Sequence, residues 1–191
     1  MGKFILAVTD EPQSTRAWER GATGEIKVGK FLEKIASENK FGLIHDRQFP
    51  NSKANIDHIA ITPSGIYVID AKNYEGEIRI VDKSGFFSDP DPKLYVGSRN
   101  CMGLVQGMHK QVEVVRNVIK SYSLEIPVKG VLAFYAATWA QYRWSLGQVD
   151  IEGILINSKG LESIVTKHGD LTTNQIGEIT EFIGKRLKPA I

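Results

Sequence analysis

Two aspartates sit inside runs that otherwise read as core strands: Asp57 in "ANIDHIAI" and Asp70 in "GIYVIDAK", with Lys72 two residues on. The runs meet at Thr62-Pro63-Ser64-Gly65, whose proline and glycine suit a type I turn. If those four residues close the hairpin, Ile61 faces Ile66, Ile59 faces Val68 and Asp57 faces Asp70. Strand side chains alternate, so Asn55, Asp57, Asp70 and Lys72 then share one face. Directly opposed Cβ atoms lie roughly 4.5–5.5 Å apart, where like charges are destabilising. A divalent cation between the carboxylates offsets that repulsion, and Mg²⁺ is usually held by one or two carboxylates plus substrate phosphates. A three-residue loop with a bulge at Gly65 is the alternative, and it sends the two aspartates to opposite faces. Both faces of both runs are apolar, so patterning does not choose between them.

The elements that must position these residues follow from periodicity. Glu25, Val28, Leu32 and Ile35 recur at helical steps, which points a glutamate toward the body of the protein. A carboxylate there is costly unless paired or bound to a metal. Gly21 and Gly24 beside it permit close backbone approach. "FGLIHDRQF", the two opening runs and "GEIRIVD" read as four consecutive strands. Residues 83–100 are turn-rich around "DPDP". A second helix carries Val105, Met108, Val112, Val115 and Ile119 on one stripe. "VKGVLAFYAAT" and "IEGILIN" read as strands, and a last amphipathic helix has Ile176, Ile179 and Ile183 in phase. This order gives an α/β domain with a mixed sheet rather than a regular doubly wound fold.

At 191 residues the chain is most simply one domain. A net charge of +2 permits an anionic partner without arguing for one. The single cysteine, Cys101, excludes an internal disulfide and a cysteine-based zinc site, and makes a cytoplasmic location the economical reading. No run is long enough to cross a bilayer, "MGKFILAV" lacks a cleavage pattern, and Leu6 rules out a myristoylation signal at Gly2. No GxxxxGK[ST] occurs, which removes a P-loop ATPase.

"GATGE", then "ANIDHIAITPSGIYVIDAKNYEG", then a helix bearing "QVEVVRNVI" resembles the nuclease-related domain family. That family is a branch of the PD-(D/E)XK superfamily, with the restriction-endonuclease-like fold: a mixed central sheet flanked by helices. The likeness runs from about Trp18 to Thr138, which implies an N-terminal extension over 1–17 and the domain over 18–191. By this resemblance Asp57 takes the place of the first catalytic aspartate, and Asp70 and Lys72 the (D/E)XK positions. Glu25 becomes the helix acid and Gln111 the later glutamine, with Gln106 on the same helix as a competing choice. Ile56 replaces the proline of the superfamily's name, and Asp70 is a shorter ligand than the commoner glutamate.

The resemblance implies a metal-dependent nuclease acting on DNA. Asp57, Asp70 and the Ala71 carbonyl would hold Mg²⁺ or Mn²⁺, with Glu25 bound directly or through water. Lys72 would orient the attacking water and Gln111 would bond the water or a phosphate. A homodimer is expected where both strands of a duplex are cut. The competing reading is a catalytically inactive module on the same fold that binds nucleic acid or protein. Other residues are read structurally: His45 and His58 as an ion-paired and a satisfied histidine, Trp139, Tyr142, Arg143 and Trp144 as an edge-of-core aromatic cluster, and Lys185, Arg186 and Lys188 as a solvated helix end.

Overall fold

The computed structural model describes residues 11–49, 54–82, 91–140, 148–158 and 160–190, with backbone alone for 11–20 and Gln148. The chain opens with helix α1 (Glu11–Asn39), then strands β1 (Gly42–Gln48), β2 (Asn55–Thr62), β3 (Gly65–Lys72), β4 (Gly76–Asp82), β5 (Pro92–Val96) and β6 (Arg99–Asn100). Helix α2 (Met102–Ile119) leads to β7 (Val128–Phe134) and β8 (Ala137–Trp139). The hairpin β9 (Gln148–Ile151) and β10 (Ile154–Asn157) follows, then α3 (Leu161–Val165) and α4 (Thr173–Arg186). Among the described residues no helix is long and apolar enough to cross a membrane.

The central sheet runs β1-β2-β3-β7-β10-β9. β3, β7 and β10 are parallel, while β1, β2 and β9 join antiparallel, so the sheet is mixed and matches a restriction-endonuclease-like fold. Helices cover both faces. Val28, Leu32 and Ile35 of α1, with Leu161, Ile164 and Val165 of α3, pack on Ala60, Tyr67, Ile69 and Val131. The other face receives Val105, Met108, Val112 and Val115 of α2 and Ile176, Ile179 and Ile183 of α4 against Ile59, Ile61, Val68 and Leu132. Apolar cover on two sides is why β2 and β3 are nearly unbroken apolar runs.

The hairpin settles the register left open above. Ile61 pairs with Ile66, Ile59 with Val68 and His58 with Ile69, and Thr62 pairs with Gly65 across Pro63 and Ser64. The Thr62 hydroxyl, fully buried, accepts from the Ser64 N–H at 3.2 Å and donates to the Gly65 carbonyl at 3.1 Å. Gly65 has φ +128°, and a Cβ there would stand 2.6 Å from the Pro127 carbonyl oxygen. That carbonyl accepts the Ile66 N–H at 2.8 Å and so ties the turn to the strand entering from α2.

β4, β5, β6 and β8 differ from the periodic reading, as does "IEGILIN", which a turn at Glu152 and Gly153 divides between the end of β9 and β10. β4 leaves the central sheet and founds a second one, ordered β6-β5-β4-β8. The apolar run 128–138 is cut by bends at Tyr135 and Ala136, so that β8 pairs with β4 instead of extending β7. Part of the turn-rich stretch is β5 and β6; Pro92 is tolerated because it opens its strand. Residues 83–90 of that stretch, and Tyr142, Arg143 and Trp144, lie outside the described residues.

Gly65→Ala should cost about 1–3 kcal/mol from backbone strain alone, with the Pro127 contact adding to it. Urea unfolding reads the loss; a midpoint equal to that of the unsubstituted chain would mean that the turn does not need glycine.

Candidate functional site

The observed register carries Asp57 and Asp70 to one face at the end of the hairpin, the face shared with Ile59, Val68 and α2. The ladder between β2 and β3 stops at His58–Ile69. Beyond it the Asp57 carboxylate takes over: Oδ2 accepts the Ala71 N–H at 2.9 Å. The Asp57 and Asp70 carboxyls stand within hydrogen-bonding reach of each other. Both are buried, at 9% and 6% exposure. Lys72 Nζ donates to Asp70 Oδ1 at 2.5 Å. Two acids and one ammonium are thus gathered from adjacent strands.

The electrostatics follow from burial and proximity. Removal from water raises the Asp57 pKa first, the Asp70 charge and hydrogen bond raise it further, and Lys72 only partly opposes them; it reaches about 8. Burial alone would lower the Lys72 pKa, but the charge and hydrogen bond of Asp70, with Asp57 beyond, hold the ammonium above its ordinary range. Glu25 approaches from α1. Burial raises its pKa, Lys72 lowers it, and Asp46 and Asp70 add to the rise. α1 comes this close because Gly24 lies against Asn73, where a Cβ would stand 2.8 Å from the Asn73 Cβ. Gly21 has open space around it, so only one of the two glycines is needed for the approach.

Lys72 and Glu25 line a cleft of about 610 Å³, together with Ala71, Tyr74, Gly97 and Arg99. Asp57 and Asp70 do not line it; Lys72 connects the buried pair to the open space. The second sheet forms one wall, because Gly97 and Arg99 come from the β5–β6 hairpin. Gln111 projects from α2 half-buried, and among the described residues its buried Oε1 has no hydrogen-bond partner. Gln106 is exposed, and neither glutamine lines the cleft.

The histidines lie on the opposite face of the sheet, as alternation requires. His45 Nδ1 and His58 Nδ1 are 2.8 Å apart, sharing one proton between two rings. His58 is buried, and among the described residues its Nε2 has no hydrogen-bond partner. Burial first, then His45, press its pKa down to about 4, against a smaller upward pull from the Glu25 backbone. His45 Nε2 stands 3.6 Å from Glu33. Trp139 is buried in β8, and its Nε1 has no hydrogen-bond partner among the described residues. At the C-terminal end Lys185 pairs with Glu181 at 2.5 Å, and the Arg186 guanidinium lies 3.5 Å from the centre of the Phe182 ring.

A mixed α/β sheet that presents paired acids and a lysine at the ends of adjacent strands has the layout of a nuclease-like hydrolase. The family model of the nuclease-related domain matches residues 20–135, and the chain belongs to that family. No curated protein and no solved structure matches it.

The acid pair predicts a pH dependence of stability in the metal-free protein. The folded-state pKa of Asp57, about 8, lies above the ordinary aspartate value of 3.8, so between these the folded chain binds the extra proton. Stability is therefore full below about pH 4 and falls as pH rises toward 8. Asp57→Asn keeps an oxygen for the Ala71 N–H and removes the titration. Its urea midpoint should gain on that of the unsubstituted chain between about pH 5 and pH 8; a constant difference would refute the raised pKa.

Proposed function

We propose that this chain is a divalent-metal-dependent phosphodiesterase acting on DNA. The observation that carries the reading is the buried Asp57–Asp70 pair joined through Lys72 to an open cleft. Structural chemistry alone gives no reason to place two carboxyls there, since each raises the cost of ionising the other.

The donor set fits Mg²⁺ or Mn²⁺, being composed of hard oxygens with a deficit of positive charge. Among the described residues no three His, Cys, Asp or Glu side chains are gathered closely enough to hold a metal. Asp57 and Asp70 would hold the ion, with the Ala71 carbonyl beside them, Glu25 acting through water, and phosphate oxygens completing the set. When bound, the ion polarises the scissile phosphate and acidifies a water.

The chain's own groups do the rest. The Ala71 N–H fixes the orientation of Asp57, so the oxygen shared with Asp70 is aimed before substrate arrives. Lys72 is a point charge on a flexible stem at the cleft wall, suited to following the charge that develops on the phosphate. Glu25, its proton affinity raised by burial, accepts a hydrogen bond from the attacking water and can take its proton. Gln111 is favoured over Gln106 as the amide that bonds the water, because among the described residues its buried oxygen has no donor and can accept from one, while Gln106 faces solvent; a phosphate oxygen would take its amide N–H instead.

Purified protein with Mg²⁺ or Mn²⁺ should cleave DNA, and EDTA should stop it. Asp70→Asn should abolish cleavage, and Lys72→Ala should lower it by about 10²–10³-fold, as for the loss of one charge-stabilising donor. Cleavage that persists in Asp70→Asn would remove the acid pair from the reaction; DNA binding without cleavage under either metal would favour an inactive module.

A further inference from the structure

Two cation–π pairs flank Lys72, and the chemistry above uses neither. On the cleft side, the Arg99 guanidinium lies 4.2 Å from the centre of the Tyr74 ring, and both line the cleft with Lys72. Tyr74 follows Lys72 by two residues and leans on Phe134, their ring centres 6.1 Å apart. Arg99 belongs to β6, so it is the second sheet that delivers the cation. On the other flank, Lys27 of α1 holds its Nζ 4.8 Å from the centre of the Tyr135 ring. Tyr135 follows β7 directly, and its N–H donates to the Lys72 carbonyl at 2.9 Å. Its ring is 47% exposed. With Phe31, 43% exposed, Lys27 and Tyr135 line a second cavity of about 600 Å³.

Both pairs therefore sit at the carboxyl ends of β3 and β7, adjacent parallel strands, where open α/β sheets bind ligands. Among the described residues neither Arg99 nor Lys27 is in an ion pair, so both charges are unspent. Each aromatic face holds its cation in place and lowers the entropy lost on meeting an anion. An exposed ring accepts any base by stacking, a guanidinium plane does the same, and both cations accept phosphate. A duplex keeps its base faces stacked inside, so an unpaired strand makes fuller use of such a surface.

We propose that single-stranded nucleic acid lies across the carboxyl ends of β3 and β7, gripped on one flank by Arg99 on Tyr74 and on the other by Lys27 on Tyr135. Lys72, between the grips, meets the phosphate that spans them. The grips deepen the nuclease reading by naming its substrate class, but they act in binding whether or not the strand is cut.

The test is equilibrium binding of the full chain to a fluorescent oligothymidine in EDTA, over a range of NaCl. Arg99→Ala and Lys27→Ala should each flatten the slope of log K against log salt by about 0.7, and the double variant by about 1.4. Tyr135→Leu should weaken binding several-fold at unchanged slope. Lys129→Ala, exposed at the opposite end of β7, should change nothing. Thermal unfolding run alongside identifies any variant that fails to fold, and Arg99→Gln and Lys27→Gln then take its place. Slopes equal to those of the unsubstituted chain, no binding of the strand at all, or tighter binding of the matching duplex would each overturn the grips. A chain that cleaves with metal while its slopes ignore Arg99 and Lys27 loses the grips alone. One whose binding depends on both cations but which never cleaves loses the hydrolytic reading alone.

Discussion

The arrangement depends on one costly contact, the juxtaposition of the Asp57 and Asp70 carboxyls inside the protein. At roughly 5 Å and an effective dielectric of about 20, two full negative charges repel by about 3 kcal/mol, before any cost of desolvation. The metal-free chain relieves this by keeping a proton on the pair: the Asp57 pKa near 8 is that relief in another form. Lys72 neutralises one carboxylate and the Ala71 N–H serves one oxygen of the other, which leaves the pair one positive charge short. A folded protein of ordinary stability spends a noticeable share of its margin on such a site.

That expense is sustained by register. β2 and β3 are apolar on both faces, so a one-residue slip would still bury hydrophobic side chains and would cost little in area. What prevents the slip gathers at the turn: the Thr62 hydroxyl spanning it, Gly65 in a conformation with no room for a Cβ, and, from outside the hairpin, the Pro127 carbonyl that holds Ile66. The turn sits at one end of the hairpin and the acids at the other. Turn chemistry five residues away along each strand thus decides whether the two carboxyls meet, a coupling carried by the backbone ladder.

How much of this was legible in the chain depends on the range of the interaction. The helices, the central strands and the placing of Asp57 opposite Asp70 all rest on periodicity and turn residues, which are local. The choice between two turn lengths rested on the Gly65–Pro127 contact, which is not local and leaves no mark in the hairpin itself. The second sheet was hidden for a similar reason. β4 is a normal strand by composition, and nothing in "GEIRIVD" says that its partners are β5 and β8 rather than β3. "PKLYV" was masked by the breaker before it, and β8 by its continuity with β7. The acids and the lysine could be found in the sequence; the wall bearing Arg99 could not, because a two-residue strand has no pattern.

The histidine pair completes the same logic from the other side of the sheet. His58 alternates away from Asp57 and lies under α1, beside the backbone of Glu25 and against Gly29, where a Cβ would come within 3.3 Å of its Cε1. Protonation there would bury a cation beside another imidazole, and burial with His45 outweighs the pull of the Glu25 backbone and holds the pKa near 4. An uncharged ring fills the space that sets the height of α1 above β2 without adding to the field at the acids. Asp57, Asp70 and Lys72 thus share one face at this end of the sheet, while Glu25 reaches toward them from the helix on the other.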